Sequence, residues 1–328
     1  MPERWLQRIS GGPIVVEGQR LDAQVQAIVA AARALRIRDS EDVAVSRRKM
    51  EEDMPAVAPA EVPMRLERDV PIALGDAVLR ARLYVPNAAA EKPPLLVFFH
   101  GGGFVVGSLQ SHDASLREFA ELCRVAILSV EYRLAPEHKA PVAAEDSYGA
   151  YLWARAHAAE LGVDGERVGV GGDSAGGNVS AVLSLACRDR GQRAPDVQLL
   201  VYPAVDCTCS ARSHRTFARG FLLEEARIEW FLKHYLVSDA QRRDANVSPL
   251  FAGSFEGLPP AIVVTAGFDP LRDEGKAYAE KLQSAGVAVT YRCEESLIHG
   301  FFNMSGVVRA AREANRRMAG DVRRALGV

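Results

Sequence analysis

Hydrophobic positions along the chain fall into two alternating rhythms. The first is short and continuous. Leu95 to Phe99, Val125 to Val130, Val197 to Tyr202 and Ala261 to Ala266 are runs with almost no polar interruption, the mark of strands buried on both faces. The second has helical period: Leu21, Val25, Ile28, Val29, Ala32 and Leu35 share one face of a helix. The patterning predicts strands at 64–72 and 77–85 joined by a Gly75-Asp76 turn, then at 167–170 and 287–292. It predicts helices at 113–123, 142–160, 178–190, 272–285 and near 307–325. Strands that alternate with helices imply an α/β fold, a mostly parallel sheet with helices on both faces.

Two stretches break the alternation. Residues 1–50 read as predominantly helical, and a Pro-rich connection at 54–63 follows them. The helix they contain reads either as packing on the main core or as a lid. Residues 205–250 are irregular, then helical, and carry Phe217, Phe221, Leu222, Trp230, Phe231 and Tyr235. They read as an insertion at the carboxyl edge of the sheet.

Composition narrows the function. The chain has 328 residues, 48% of them hydrophobic and 25% charged, with a net charge of −2. These are ordinary globular values, and they give no electrostatic case for nucleic acid or an anionic membrane. No apolar run reaches the ~18 residues of a membrane span. Met1 to Ser10 has no apolar core of a secretory signal. The five cysteines show no framework spacing, which suggests reduced thiols and a cytoplasmic location. Cys207-Thr-Cys209 is too closely spaced for a zinc pair and reads as structural; no metal or cofactor is expected.

The chemistry gathers at predicted strand ends. Gly172-Asp-Ser-Ala-Gly176 is G-x-S-x-G between a strand and a helix, the turn that lifts a serine hydroxyl to the sheet's carboxyl edge. Three glycines after a buried strand, His100-Gly-Gly-Gly103, leave backbone N–H groups uncovered, as an oxyanion-binding loop requires. Gly102, Gly103 and Ala175 are the expected donors, and His100 reads as a histidine that ties down the loop. Asp269 follows the strand 261–266 and is favoured as the acid over Asp273, which falls within the next helix. His299 lies one loop beyond the last strand. The order Ser174, Asp269, His299 is the one expected for an α/β hydrolase. Phe217, Phe221, Leu222, Trp230 and Phe231 are candidates for the wall of an acyl pocket, although for any one of them packing between cap and core is the favoured reading.

Together His100–Phe104, Tyr132–His138, Gly172–Asn178, Asp269–Gly275 and His299–Phe301 resemble the bacterial hormone-sensitive-lipase-like esterases of the GDSAGG branch. The resemblance runs from about residue 15 to the end. It implies an eight-stranded α/β-hydrolase core from 51–204 and 251–328, with a cap built from residues 1–50 and the insertion 205–250. It also implies hydrolysis of small carboxylic esters of short to medium acyl length. The triad would be Ser174, Asp269 and His299, and the oxyanion hole Gly102, Gly103 and Ala175. A homodimer through the last strand is within the family's range. A non-catalytic ligand receptor and a serine peptidase on the same fold are the rival readings.

Overall fold

The computed structural model describes residues 11–34 and 40–328, together with Leu6. Leu35, the last residue of the predicted apolar helix face, lies outside the described residues. From residue 11 onward the described residues begin with a hairpin, β1 (Val15–Val16) and β2 (Gln19–Arg20), within the stretch 1–50 that reads as predominantly helical. Its turn residues Glu17 and Gly18 have φ of 52° and 81°, which suits a two-residue hairpin loop. Helices α1 (Ala23–Ala34) and α2 (Val43–Asp53) follow. Val25 and Val29 of α1 are buried, whereas α2 buries only Ser46.

The body is an eight-stranded sheet. Its strands are β3 (Met64–Leu74), β4 (Ala77–Pro86), β5 (Pro94–Phe99), β6 (Ala126–Glu131), β7 (Asp164–Asp173), β8 (Gln198–Val201), β9 (Ala261–Phe268) and β10 (Val289–Ile298). They are ordered β10-β9-β8-β7-β5-β6-β4-β3. The six strands from β10 to β6 run parallel, and β4 and β3 are antiparallel to their neighbours. The apolar runs are the central strands, as continuous hydrophobicity predicts. Alternate residues of β5 enter different cores: Leu95, Val97 and Phe99 join one, Leu96 and Phe98 the other.

Helices cover both faces. The first core takes α4 (Val142–Ala156) and α6 (Ala175–Asp189); the second takes α3 (Leu109–Cys123) and α10 (Arg309–Leu326). The helix predicted at 142–160 is split, with α5 (Ala158–Leu161) separated from α4 at His157. A third cluster packs α9 (Arg272–Ser284) on β8 and β9. The irregular stretch contains α7 (Arg212–Thr216) and α8 (Glu225–Tyr235). No helix among the described residues is long and apolar enough to cross a membrane.

The order of the sheet positions the chemistry. From β5 the chain proceeds to β6 on one side and to β7 on the other. This is a topological switch point, where open α/β sheets leave a crevice at their carboxyl ends.

Candidate active site

Register places the glycine loop beside the serine. Phe99, at the end of β5, pairs with Gly172, at the end of β7. The chain leaves β5 into His100–Gly103 and leaves β7 into Ser174. Ser174 has φ 55° and ψ −116°, a conformation that costs on the order of 1–3 kcal/mol outside a constrained site. The turn is held open at both ends: the Ser174 N–H donates to the Val201 carbonyl at 2.8 Å, and the Asn178 N–H donates to the Ser174 carbonyl at 3.0 Å. Gly176 permits the close approach. A Cβ there would point into the Phe99 carbonyl oxygen.

The candidate acid and base meet by a similar device. Ile298 at the end of β10 pairs with Phe268 at the end of β9, so the residues that follow them, His299 and Asp269, come together. His299 Nδ1 lies 2.9 Å from Asp269 Oδ2, and His299 Nε2 lies 3.0 Å from Ser174 Oγ. Asp269 is fully buried, and its other oxygen accepts the Leu271 N–H at 2.9 Å. The ring of Tyr202 packs on His299 with centroids 4.6 Å apart. Asp273 lies inside α9 and is turned away: it bonds Arg272 and the Ser213 N–H.

Gly102, Gly103, Ser174, Ala175 and His299 all line one cavity of about 430 Å³. Among the described residues, the N–H groups of Gly102, Gly103 and Ala175 have no acceptor within the chain. The walls include Met50 of α2, Leu222, Leu223, and Ile228, Phe231 and Leu232 of α8. Phe231 sits directly on Gly103, whose φ is 58° and whose missing Cβ leaves room for the ring. Of the five candidate wall residues, Leu222 and Phe231 line this cavity and Trp230 stays outside it. Phe217 and Phe221 also stay outside; they pack on each other and on Phe268 in the second core. A buried aromatic in an insertion can serve either place, and the strand-end position of Phe268 draws these two inward.

His100 is fully buried, its ring stacked on Tyr132 at 4.5 Å and its Nδ1 2.8 Å from the Gly101 carbonyl. Burial, joined by the neighbouring His112, pushes its pKa down to about 4, so the ring is neutral. It braces the loop and does not reach the serine.

Three features were not legible as functional in the sequence. Asp173, the variable residue of G-x-S-x-G, accepts the Gly101 N–H at 2.9 Å and lies 3.2 Å from His112 Nε2. Burial works to raise its pKa, but His112 and the Gly101 N–H outweigh it and hold the carboxyl below its ordinary value. One carboxylate thus ties the glycine loop to the residue before the serine. Arg47 of α2 donates to the Val105 and Ala135 carbonyls, both at 2.9 Å, and clasps Glu137. Buried His214 and Glu274 also line the cavity. Among the described residues, no three His, Cys, Asp or Glu side chains are grouped to hold a metal ion.

A mostly parallel sheet with this strand order, carrying such a serine turn at its switch point, defines an α/β hydrolase. A family model described as the alpha/beta hydrolase fold matches residues 96–303. LipN, a carboxylic ester hydrolase of Mycobacterium tuberculosis, is 41% identical over 305 residues, covering 90% of this chain and 80% of its own. An ethyl acetate hydrolase of Pseudomonas putida is 38% identical over 239 residues, covering 72% of this chain and 75% of its own. Among solved structures, a serine-to-alanine mutant of LAE6, an α/β hydrolase enzyme from the metagenome of Lake Arreo in Spain, is similar with a TM-score of 0.91. It is 36% identical and covers 94% of this chain and 99% of its own. The chain belongs to the α/β-hydrolase fold family, in its hormone-sensitive-lipase-like group of esterases.

Proposed function

We propose that this esterase hydrolyses carboxylic esters of short to medium acyl length through an acyl-enzyme on Ser174. The observation that carries the reading is the continuous chain Asp269–His299–Ser174, with links of 2.9 and 3.0 Å, opening into a cavity beside three unengaged N–H groups. A serine hydroxyl is a weak nucleophile near neutrality. His299 Nε2 accepts its proton as Oγ attacks the ester carbonyl, then returns it to the departing alkoxide. Asp269 holds the Nδ1–H, which fixes the tautomer and stabilises the imidazolium. The N–H groups of Gly102, Gly103 and Ala175 receive the oxyanion. Water then attacks the acyl-enzyme by the same route and frees the acid.

Residues 1–50 and 205–250 act as the cap in this reading, and 51–204 with 251–328 as the catalytic core. The volume near 430 Å³ and the largely apolar walls from Leu222 to Leu232 suit a modest hydrocarbon chain. The name of the Pseudomonas putida relative, an ethyl acetate hydrolase, points the same way.

The test is a p-nitrophenyl ester series with a Ser174→Ala control. Turnover should peak at short to medium chains and fall by a factor on the order of 10⁶ in the control. A peak beyond about twelve carbons, more than a cavity of this class accommodates, contradicts the chain-length assignment. Retained turnover in the control contradicts the nucleophile.

A further inference from the structure

The cavity wall carries a buried ion pair that the triad does not use. His214 of α7 and Glu274 of α9 line the same cavity as Ser174, with side chains 6% and 1% exposed. His214 Nε2 lies 2.6 Å from Glu274 Oε2. The other Glu274 oxygen accepts the Val205 and Asp206 N–H groups at 2.7 and 3.0 Å. Asp206, also in the wall, is occupied by Thr208 and Ser210. Every carboxylate oxygen in this corner therefore has a partner. His214 Nδ1 has none among the described residues.

Such a pair is not the cheap way to build a wall. Burying two charges costs desolvation that the attraction roughly offsets, and apolar residues of the same volume do as well. The second ring nitrogen, Nδ1, is not sealed into the wall and stays open to a ligand in the cavity. Glu274 fixes the tautomer: with the carboxylate ionised, Nε2 carries the hydrogen. Burial works against charge on the ring, but the carboxylates of Glu274, Asp269 and Asp206 outweigh it and raise the His214 pKa. The ring therefore keeps its second proton, on Nδ1, to higher pH than an ordinary histidine.

We propose that His214, held by Glu274, is a specificity-determining residue whose Nδ1–H donates to a second, neutral acceptor oxygen of the substrate. The favoured esters then carry an ether or carbonyl oxygen away from the scissile bond. The carboxylates of Glu274 and Asp206 in the same wall disfavour an anionic group there. A site built to bond an oxygen discriminates strongly against the analogue that lacks it. The inference rests on the esterase reading above.

The experiment compares isosteric pairs. One pair is p-nitrophenyl hexanoate and its methoxybutyrate analogue, in which an ether oxygen replaces the penultimate methylene. The other moves the same exchange to the alcohol side. For the parent, kcat/KM corrected for spontaneous hydrolysis should favour the ether in one pair. His214→Gln, which keeps an N–H near the position of Nε2 and so a partner for Glu274, should reduce that ratio by about tenfold, the effect of one net hydrogen bond. His214→Phe should do the same if it folds. Labelling of Ser174 by a fluorophosphonate reports that the site is intact in each variant. Equal ratios in parent and His214→Gln, or no parent preference in either pair, overturn the proposal. Failure of the parent to cleave any of the esters overturns the esterase reading instead.

Discussion

Replacing Gly176 with alanine tests the register on which the site depends. The added methyl group points at the Phe99 carbonyl oxygen, with the Phe99 and His100 carbonyl carbons close behind it. These are backbone atoms, and Phe99 is locked into the ladder against Gly172, so no side chain can swing aside. The end of β5 and the start of α6 must separate by roughly 1 Å or more to reach ordinary contact. Gly102 and Gly103 ride on the first of these elements, and Ala175 on the second. A hydrogen bond near 2.9 Å does not survive such a stretch, and loss of one oxyanion donor costs about 10²–10³ in turnover. Overpacking of this kind also costs about 1–3 kcal/mol of stability. The assay is kcat with p-nitrophenyl butyrate beside thermal unfolding by circular dichroism. Gly253→Ala, where a Cβ meets nothing within 4 Å, is the neutral control. A folded Gly176→Ala protein with kcat within about threefold of the parent, well under one donor's worth, would refute the reasoning.

Asp269→Asn should lower kcat by about 10⁴ with the fold intact, because the amide favours the wrong tautomer of His299; steady-state kinetics on the purified variant checks it. Asp173 has a depressed folded pKa, so its carboxylate contributes stability that is fully present above the unfolded value and is lost as pH falls through the folded one. The difference in thermal midpoint between parent and Asp173→Asn should thus hold steady above pH 3.8 and close below it; a gap that closes nearer neutrality contradicts this. Arg47→Ala removes two bonds to backbone carbonyls of the loops at 105 and 135, and kcat/KM should fall about tenfold. Glu137→Gln, at a side chain 55% exposed, should stay within about twofold. Equal losses in the two variants would show that the ion pair, and not the carbonyl bonds, holds α2 in place.

The candidate acid was legible because it follows a strand whose apolar run is continuous, and the candidate serine because its strand runs into a G-x-S-x-G turn. Such runs are buried centrally, and their carboxyl ends fall on one rim. The last strand was harder. Its pattern predicts an end at Arg292, yet β10 continues to Ile298 through Cys293-Glu-Glu-Ser296. It is an edge strand, half solvated, so its polar residues do not disqualify it. That extension, with an irregularity between Glu294 and Ile298, is what delivers His299 to Asp269. The hairpin at 15–20 was hidden by brevity, although Glu17-Gly18 is a usable turn signal. Phe217 and Phe221 illustrate a different limit: hydrophobicity drives a ring out of water without saying whether a core or a cavity receives it. Asp173, Arg47 and the pair His214–Glu274 act through partners 58 to 90 positions away in sequence, which no local pattern encodes; Gly101 is 72 residues from Asp173.

The central claim is that Ser174, His299 and Asp269 act as one nucleophilic unit. Mass spectrometry of the intact chain after a fluorophosphonate, followed by peptide mapping, measures this directly. One adduct per chain on Ser174, absent from Ser174→Ala and formed far more slowly in His299→Ala, is the predicted result. An adduct on any other residue, or equal labelling rates in the parent and His299→Ala, would contradict it.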